Sequence, residues 1–121
     1  MQPFTRVMKA LSDPGRVKIV KLLQHRTMCV CELQSLLGLA QPTVSKHLRM
    51  LEETGLVESA KDGLWVNYTL TNGAASPYAS ALLGNMRHWL EDDPEIRAAV
   101  GRLPFVDRQE LCGRVGGEKN K

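Results

Sequence analysis

Gln41-Pro42-Thr43-Val44-Ser45-Lys46-His47-Leu48-Arg49-Met50-Leu51-Glu52-Glu53-Thr54-Gly55 is the stretch on which the reading of this chain turns. Val44, Leu48 and Leu51 recur at i, i+4 and i+7, the apolar stripe of an amphipathic helix. Gly55 supplies its stop. Thr43, Ser45, Lys46, His47 and Arg49 fall outside that stripe, and Gln41 opens it. The spacing predicts a helix from Gln41 to Thr54 with one face for a core and one rich in donors, acceptors and cations.

Upstream, Val30, Leu33, Leu36 and Leu37 form a shorter helix ending at Gly38, so only a tight turn separates it from the helix that follows. Before it, Val17, Ile19, Val20, Leu22 and Leu23 cover most of a helix surface, as burial on several sides requires. Asp13 can cap that helix and Pro14 suits its first turn. Phe4, Val7, Met8 and Leu11 give a first helix.

Downstream, Leu56-Val57 begins a strand, and Leu64 to Leu70 alternates. Leu64, Val66, Tyr68 and Leu70 share one face, and Trp65, Asn67 and Thr69 the other. Lys61-Asp62-Gly63 between them is a hairpin signal. A fifth helix is expected from Ser76 to Asp92 on a stripe of Leu82, Leu83, Met86, Trp89 and Leu90, then a short one from Ile96 to Val100. Residues 1–95 form one expected unit. Residues 96–121 form a C-terminal tail that carries Cys112, and its Gly- and charge-rich end, Gly113 to Lys121, reads as disordered.

This order is a mainly α fold with a small β-hairpin, the winged helix-turn-helix plan. A helix fits the major groove of B-DNA, and a hairpin tip can reach the flanking backbone. Gln41, Thr43, Ser45, Lys46, His47 and Arg49, with Lys61 on the wing, are therefore the expected contacts to double-stranded operator DNA, mixing groups for base edges with cations for phosphates. The net charge of +3 is too small to indicate nucleic acid by itself. Residues 1–26, however, carry Arg6, Lys9, Arg16, Lys18, Lys21 and Arg26 against Asp13 alone, a basic half that could face phosphates. Two apolar stripes, Phe4/Val7/Met8/Leu11 and Leu82/Met86/Trp89/Leu90, point to a homodimer through the terminal helices. No apolar run is long enough for a membrane span and no signal-like leader is visible, so a cytoplasmic protein without a membrane partner is expected. No Ser-His-Asp set, carboxylate pair or phosphate loop suggests an enzyme.

Over residues 4–92 the chain resembles the ArsR/SmtB repressors. The resemblance rests on Ala10-Leu11-Ser12-Asp13-Pro14-Gly15-Arg16, Cys29-Val30-Cys31-Glu32-Leu33, the segment Gln41 to Leu48, Leu51-Glu52-Glu53-Thr54-Gly55-Leu56-Val57 and the wing Lys61 to Tyr68. It implies a homodimer that blocks a promoter and leaves it when an inducer binds. Ala40 stands where the family often has a capping Ser, worth about 1 kcal/mol, and Leu64 where an Arg is common.

Three cysteines, Cys29, Cys31 and Cys112, suit thiol or metal chemistry better than a disulfide scaffold. For Cys29-Val30-Cys31 at the start of a helix the resemblance implies a site for arsenite or antimonite as inducer. Thiolates are soft donors, and a helix N-terminus favours the thiolate. Residues i and i+2 of an intact helix point about 200° apart, so both sulfurs can hold one ion only if the first turn opens or Cys29 lies outside it. Some arsenic-responsive members carry a further Cys where this chain has Gln34, which leaves Cys112, of the same chain or of its dimer partner, as the remaining candidate for a third donor. A redox- or persulfide-sensing repressor and a helix-turn-helix protein-interaction module are the competing readings. Zinc on the fifth helix finds only His88 with Asp92 and Asp93 nearby, and His25 reads as helix surface.

Overall fold

The computed structural model describes residues 1–107, so Cys112 and the expected disordered end lie outside the described residues. The helices are α1 (Gln2–Ala10), α2 (Pro14–Leu23), α3 (Val30–Leu37), α4 (Gln41–Glu53), α5 (Pro77–Met86) and α6 (Pro94–Gly101). The strands are β1 (Met28–Cys29), β2 (Val57–Asp62) and β3 (Trp65–Leu70), in the antiparallel order β1-β3-β2. Ile19, Val20 and Leu22 of α2 are fully buried against Leu33 and Leu36 of α3 and Val44, Leu48 and Leu51 of α4. Each such aliphatic side chain contributes roughly 1.5–3 kcal/mol by leaving water, so α4 is held by its expected stripe.

Asp62 pairs with Trp65, which makes Gly63-Leu64 the two-residue loop of the wing. Gly63 has φ +63°, the conformation a tight hairpin needs at its first central position. Beyond Val57 every residue of β2 is exposed, so the wing stands off the core. Of the expected inner face, Tyr68 and Leu70 pack on the core, whereas Leu64 and Val66 are exposed.

The strand β1 had no counterpart in the sequence reading. Met28 pairs with Tyr68 and Cys29 with Asn67, so the residues before α3 extend the wing sheet. The expected fifth helix also ends early, at Met86 instead of Asp92. Lys21 explains this: its fully buried side chain donates to the carbonyls of Met86 (2.7 Å) and Trp89 (2.8 Å) and to Glu91 (3.0 Å). An ammonium satisfies the carbonyls that a continuing helix would have bonded. Leu90 then turns at φ +63°, and Asp93 caps α6. Trp89 and Leu90 end up outside any helix and half-exposed, while Trp65 sits at the wing tip.

The core continues past residue 95. α6 packs on α2, and Ala99 and Leu103 join the apolar cluster. From there the chain runs back along α3: Arg102 donates to the Leu36 carbonyl at its last turn (2.6 Å), and Arg26 reaches Val106 O at its first (2.9 Å).

Candidate nucleic-acid interface and thiol turn

α4 begins at Ala40 without any side-chain cap, as that residue implies, and Pro42 occupies its first turn. Gln41, Thr43, Lys46 and Arg49 are exposed, and Ser45 is half-exposed. Lys61 is exposed on β2, one residue from the wing turn. The structure thus places six of the seven expected contacts at the surface of α4 and the wing.

His47 is the exception. Its side chain is only 12% exposed and faces α2 instead of solvent. Arg16 Nη1 lies 3.1 Å from its Nδ1, and Asp13 Oδ1 lies 3.7 Å from its Nε2. Burial pushes the His47 pKa below the usual histidine value; Asp13 works against this, and Arg16 and Lys46 add to it. Asp13 is itself partly desolvated. The backbone N–H groups of Gly15 (2.7 Å) and Arg16 (3.3 Å), with His47 and Arg16 nearby, nevertheless hold its carboxyl below the usual range. The signal was present in the spacing: Val44, His47, Leu48 and Leu51 are i, i+3, i+4 and i+7, so His47 belongs to the inward stripe.

The basic N-terminal half is also partly spent internally. Arg6 pairs with Glu53 (3.7 Å), Lys18 with Glu95 (3.4 Å), Lys21 with Glu91 and Arg26 with Glu32 (3.1 Å). Arg16 bonds the carbonyls of Ala10 (2.6 Å) and Lys9 (3.3 Å). Arg16, Lys21 and Arg26 are therefore tied into the fold, whereas Arg6, more than half exposed in a long surface pair, stays with Lys9 at the surface.

Cys29 is buried and extended at the cap position of α3, outside the helix, while Cys31 is half-buried in its first turn. The cap is a capping box with sulfur in the place of a hydroxyl. Cys29 N–H donates to Glu32 Oε1 (3.1 Å), and the Cys29 side chain takes the Glu32 N–H. Glu32, itself buried, is neutralised by Arg26. No three His, Cys, Asp or Glu side chains gather among the described residues, so this turn offers two sulfurs.

The pattern of the bacterial regulatory protein, arsR family, matches residues 13–59. The arsenical resistance operon repressor of Escherichia coli is 35% identical over 111 residues, which span 89% of this chain and 88% of that protein. HlyU from Vibrio cholerae superimposes with a TM-score of 0.62 at 30% identity, covering 76% of this chain and 95% of that one. A homodimeric winged helix-turn-helix domain from Mycobacterium bovis gives 0.60 at 27% identity over 71% and 76%. With a polar-faced α4 that lacks a side-chain cap and a wing that projects from the core, the chain belongs to the ArsR family, a family of DNA-binding transcriptional regulators and not of enzymes.

Proposed function

We propose that this chain is a homodimeric repressor that leaves its operator when arsenite or antimonite binds Cys29 and Cys31, with Cys112 as third donor. The observation that carries the reading is the position of Cys29. It caps α3 from outside the helix. The roughly 200° separation of i and i+2 on a helix therefore does not keep its sulfur from Cys31. Two neighbouring thiolates suit a thiophilic ion. The tail is also favourably led: Val106 is tied beside Glu32 at the start of α3, and the six residues from there to Cys112 can span roughly 20 Å.

In the DNA-bound state, Gln41, Thr43 and Ser45 meet base edges, while Lys46, Arg49 and Lys61 meet phosphates. Release follows from what Cys29 already does. Drawing its sulfur to an ion takes it off the Glu32 N–H, so α3 loses one half of its capping box. Cys29 is also the partner of Asn67 in β3. The helix packed against α4 and the strand that carries the wing would therefore shift together. An inducer acts only through such a difference between two states.

Dimerisation would cover the apolar surface that α1 and α5 leave outside. Phe4 (40% exposed), Met8 (41%) and Tyr78 (40%) line it, with Phe4 and Tyr78 edge to face at 5.3 Å. Val7 and Met86 of the expected stripes are buried in the protomer's own core instead. Light scattering at micromolar concentration should give twice the chain mass.

The deciding experiment is a gel shift on the duplex immediately upstream of the chain's own reading frame, titrated with arsenite, antimonite, cadmium and an oxidant. Cys29→Ser and Cys31→Ser should bind that duplex normally and ignore arsenite. Serine at position 29 restores an ordinary capping box but offers no soft donor. Cys112→Ser should need more arsenite yet still release. Full release of the Cys31→Ser protein by arsenite would refute the pair as sensor.

A further inference from the structure

We propose that His47 is a positioning residue for DNA binding: Asp13 and Arg16 hold its uncharged ring between them and so fix α4 to α1 and α2, and a proton added to the ring loosens that joint and weakens DNA binding. The inference rests on α4 being the helix that meets DNA.

The hydrogen-bond chemistry sets the tautomer. A guanidinium has donors only, so Nδ1, 3.1 Å from Arg16 Nη1, must present its lone pair. The ring proton then sits on Nε2, on the side of the Asp13 carboxylate at 3.7 Å. Each partner is anchored elsewhere. Asp13 caps α2 through Gly15 and Arg16 N–H, and Arg16 also bonds the Ala10 and Lys9 carbonyls at the end of α1. One guanidinium therefore joins the last turn of α1 to the middle of α4. Gly15 lets the ring come this close, since a Cβ there would meet His47 Nε2 at 2.9 Å. At its N-terminus α4 has no side-chain cap at Ala40 to hold it.

Protonation would change one bond in kind. With both nitrogens as donors, Nδ1–H would face the guanidinium, exchanging an acceptor for a like charge, while Asp13 would gain a full ion pair. The charged groups facing the ring are Asp13 and Arg16 from α2 and its cap, and Lys46 from α4 itself; no titratable group of α3 or β2 contributes among the described residues. Burial and two cations against one carboxylate keep the ring neutral near pH 7. Acidification should then weaken DNA binding, opposite to the gain that added positive charge ordinarily brings.

The test has two arms. In the free full-length protein, long-range proton–nitrogen NMR should show His47 protonated on Nε2 alone and titrating below the ordinary histidine value. An Nδ1–H tautomer, or titration at or above that value, overturns the proposal without any reference to DNA. In the second arm, binding to the upstream duplex is compared at about pH 7.5 and about pH 5.5. Wild type should lose several-fold, with about tenfold per ring as the ceiling for a group that titrates below 6.5. His47→Asn, whose amide oxygen can stand in for Nδ1 and cannot be protonated, should bind comparably to wild type at the higher pH and show no such loss. A wild-type affinity that holds or rises on acidification overturns the proposal, as does a His47→Asn protein with the wild-type pH dependence. Failure of the wild type to bind at pH 7.5 would count against α4 as the DNA helix, and the joint would then be judged by the NMR arm.

Discussion

On α4, Gln41, Thr43, Lys46 and Arg49 make no side-chain hydrogen bond among the described residues, whereas at the start of α3 the polar groups are engaged with one another. There Cys29 holds Glu32 and Asn67, Glu32 holds Arg26, and Arg26 holds Val106. On the function proposed above, the difference separates a surface built to recognise from one built to respond. A recognition face gains by being free, since partners within the chain would have to be given up before DNA is met. A sensor turn gains by being bonded, because a ligand that adds to free groups changes nothing else. Only where a ligand must displace an existing bond does its binding reach the rest of the molecule.

The comparison can be broken at its common support. Leu48→Ala removes a fully buried side chain beneath both regions and should cost about 2–5 kcal/mol in urea unfolding. A loss of DNA binding with the arsenite affinity of the remaining folded protein intact would show that the two do not share a core. The free face is sharpened next. Ser45→Ala should weaken binding to one sequence by about 1–3 kcal/mol, whereas Lys46→Ala should weaken all sequences alike and reduce the salt slope by about one. Neither should alter unfolding by urea.

The bonded turn predicts the reverse pattern. Glu32→Ala removes half of the capping box and should lower stability by roughly 0.5–2 kcal/mol. It should also lower the arsenite needed for release, since less structure has to be displaced. An unchanged arsenite midpoint in a measurably destabilised protein would mean that the cap is not part of the switch. The smallest effect lies away from both regions. The hydrogen bond from Lys21, together with its charge, holds Glu91 below the usual glutamate value. A depressed carboxyl stabilises fully above its unfolded value, near 4.5, and loses that contribution as pH falls through the folded one. Glu91→Gln should therefore lower stability at neutral pH, flatten the acid limb of a pH–stability curve and converge with wild type at the acid end.

Periodicity was enough for the helix order, the α4 stripe and the hairpin, because these elements repeat their pattern over several turns or pairs. It could not show β1, since two residues carry no period, and Met28-Cys29 becomes a strand only when β3 arrives beside it. Nor could it end α5 at Met86, where the stop is Lys21, 65 residues earlier in the chain. A lysine in a helix reads as solvated until a set of carbonyls is found for it. For His47 the spacing did contain the answer, and chemistry misled: a polar residue among polar residues was assigned to their face although it stands on the stripe of Val44, Leu48 and Leu51. The thiol pair was legible as chemistry, but whether Cys29 lay inside α3 depended on the strand before it.

The two tryptophans sit in different parts of this architecture, Trp65 beside the wing turn and Trp89 in the segment just past α5. The chain thus has its own pair of optical reporters. A Trp89→Phe protein emits only from the wing, so its fluorescence should respond to DNA; a Trp65→Phe protein emits only from the turn that Lys21 holds. Recorded during an inducer titration, the two emissions would give the order in which these two parts of the molecule move, with no dye attached.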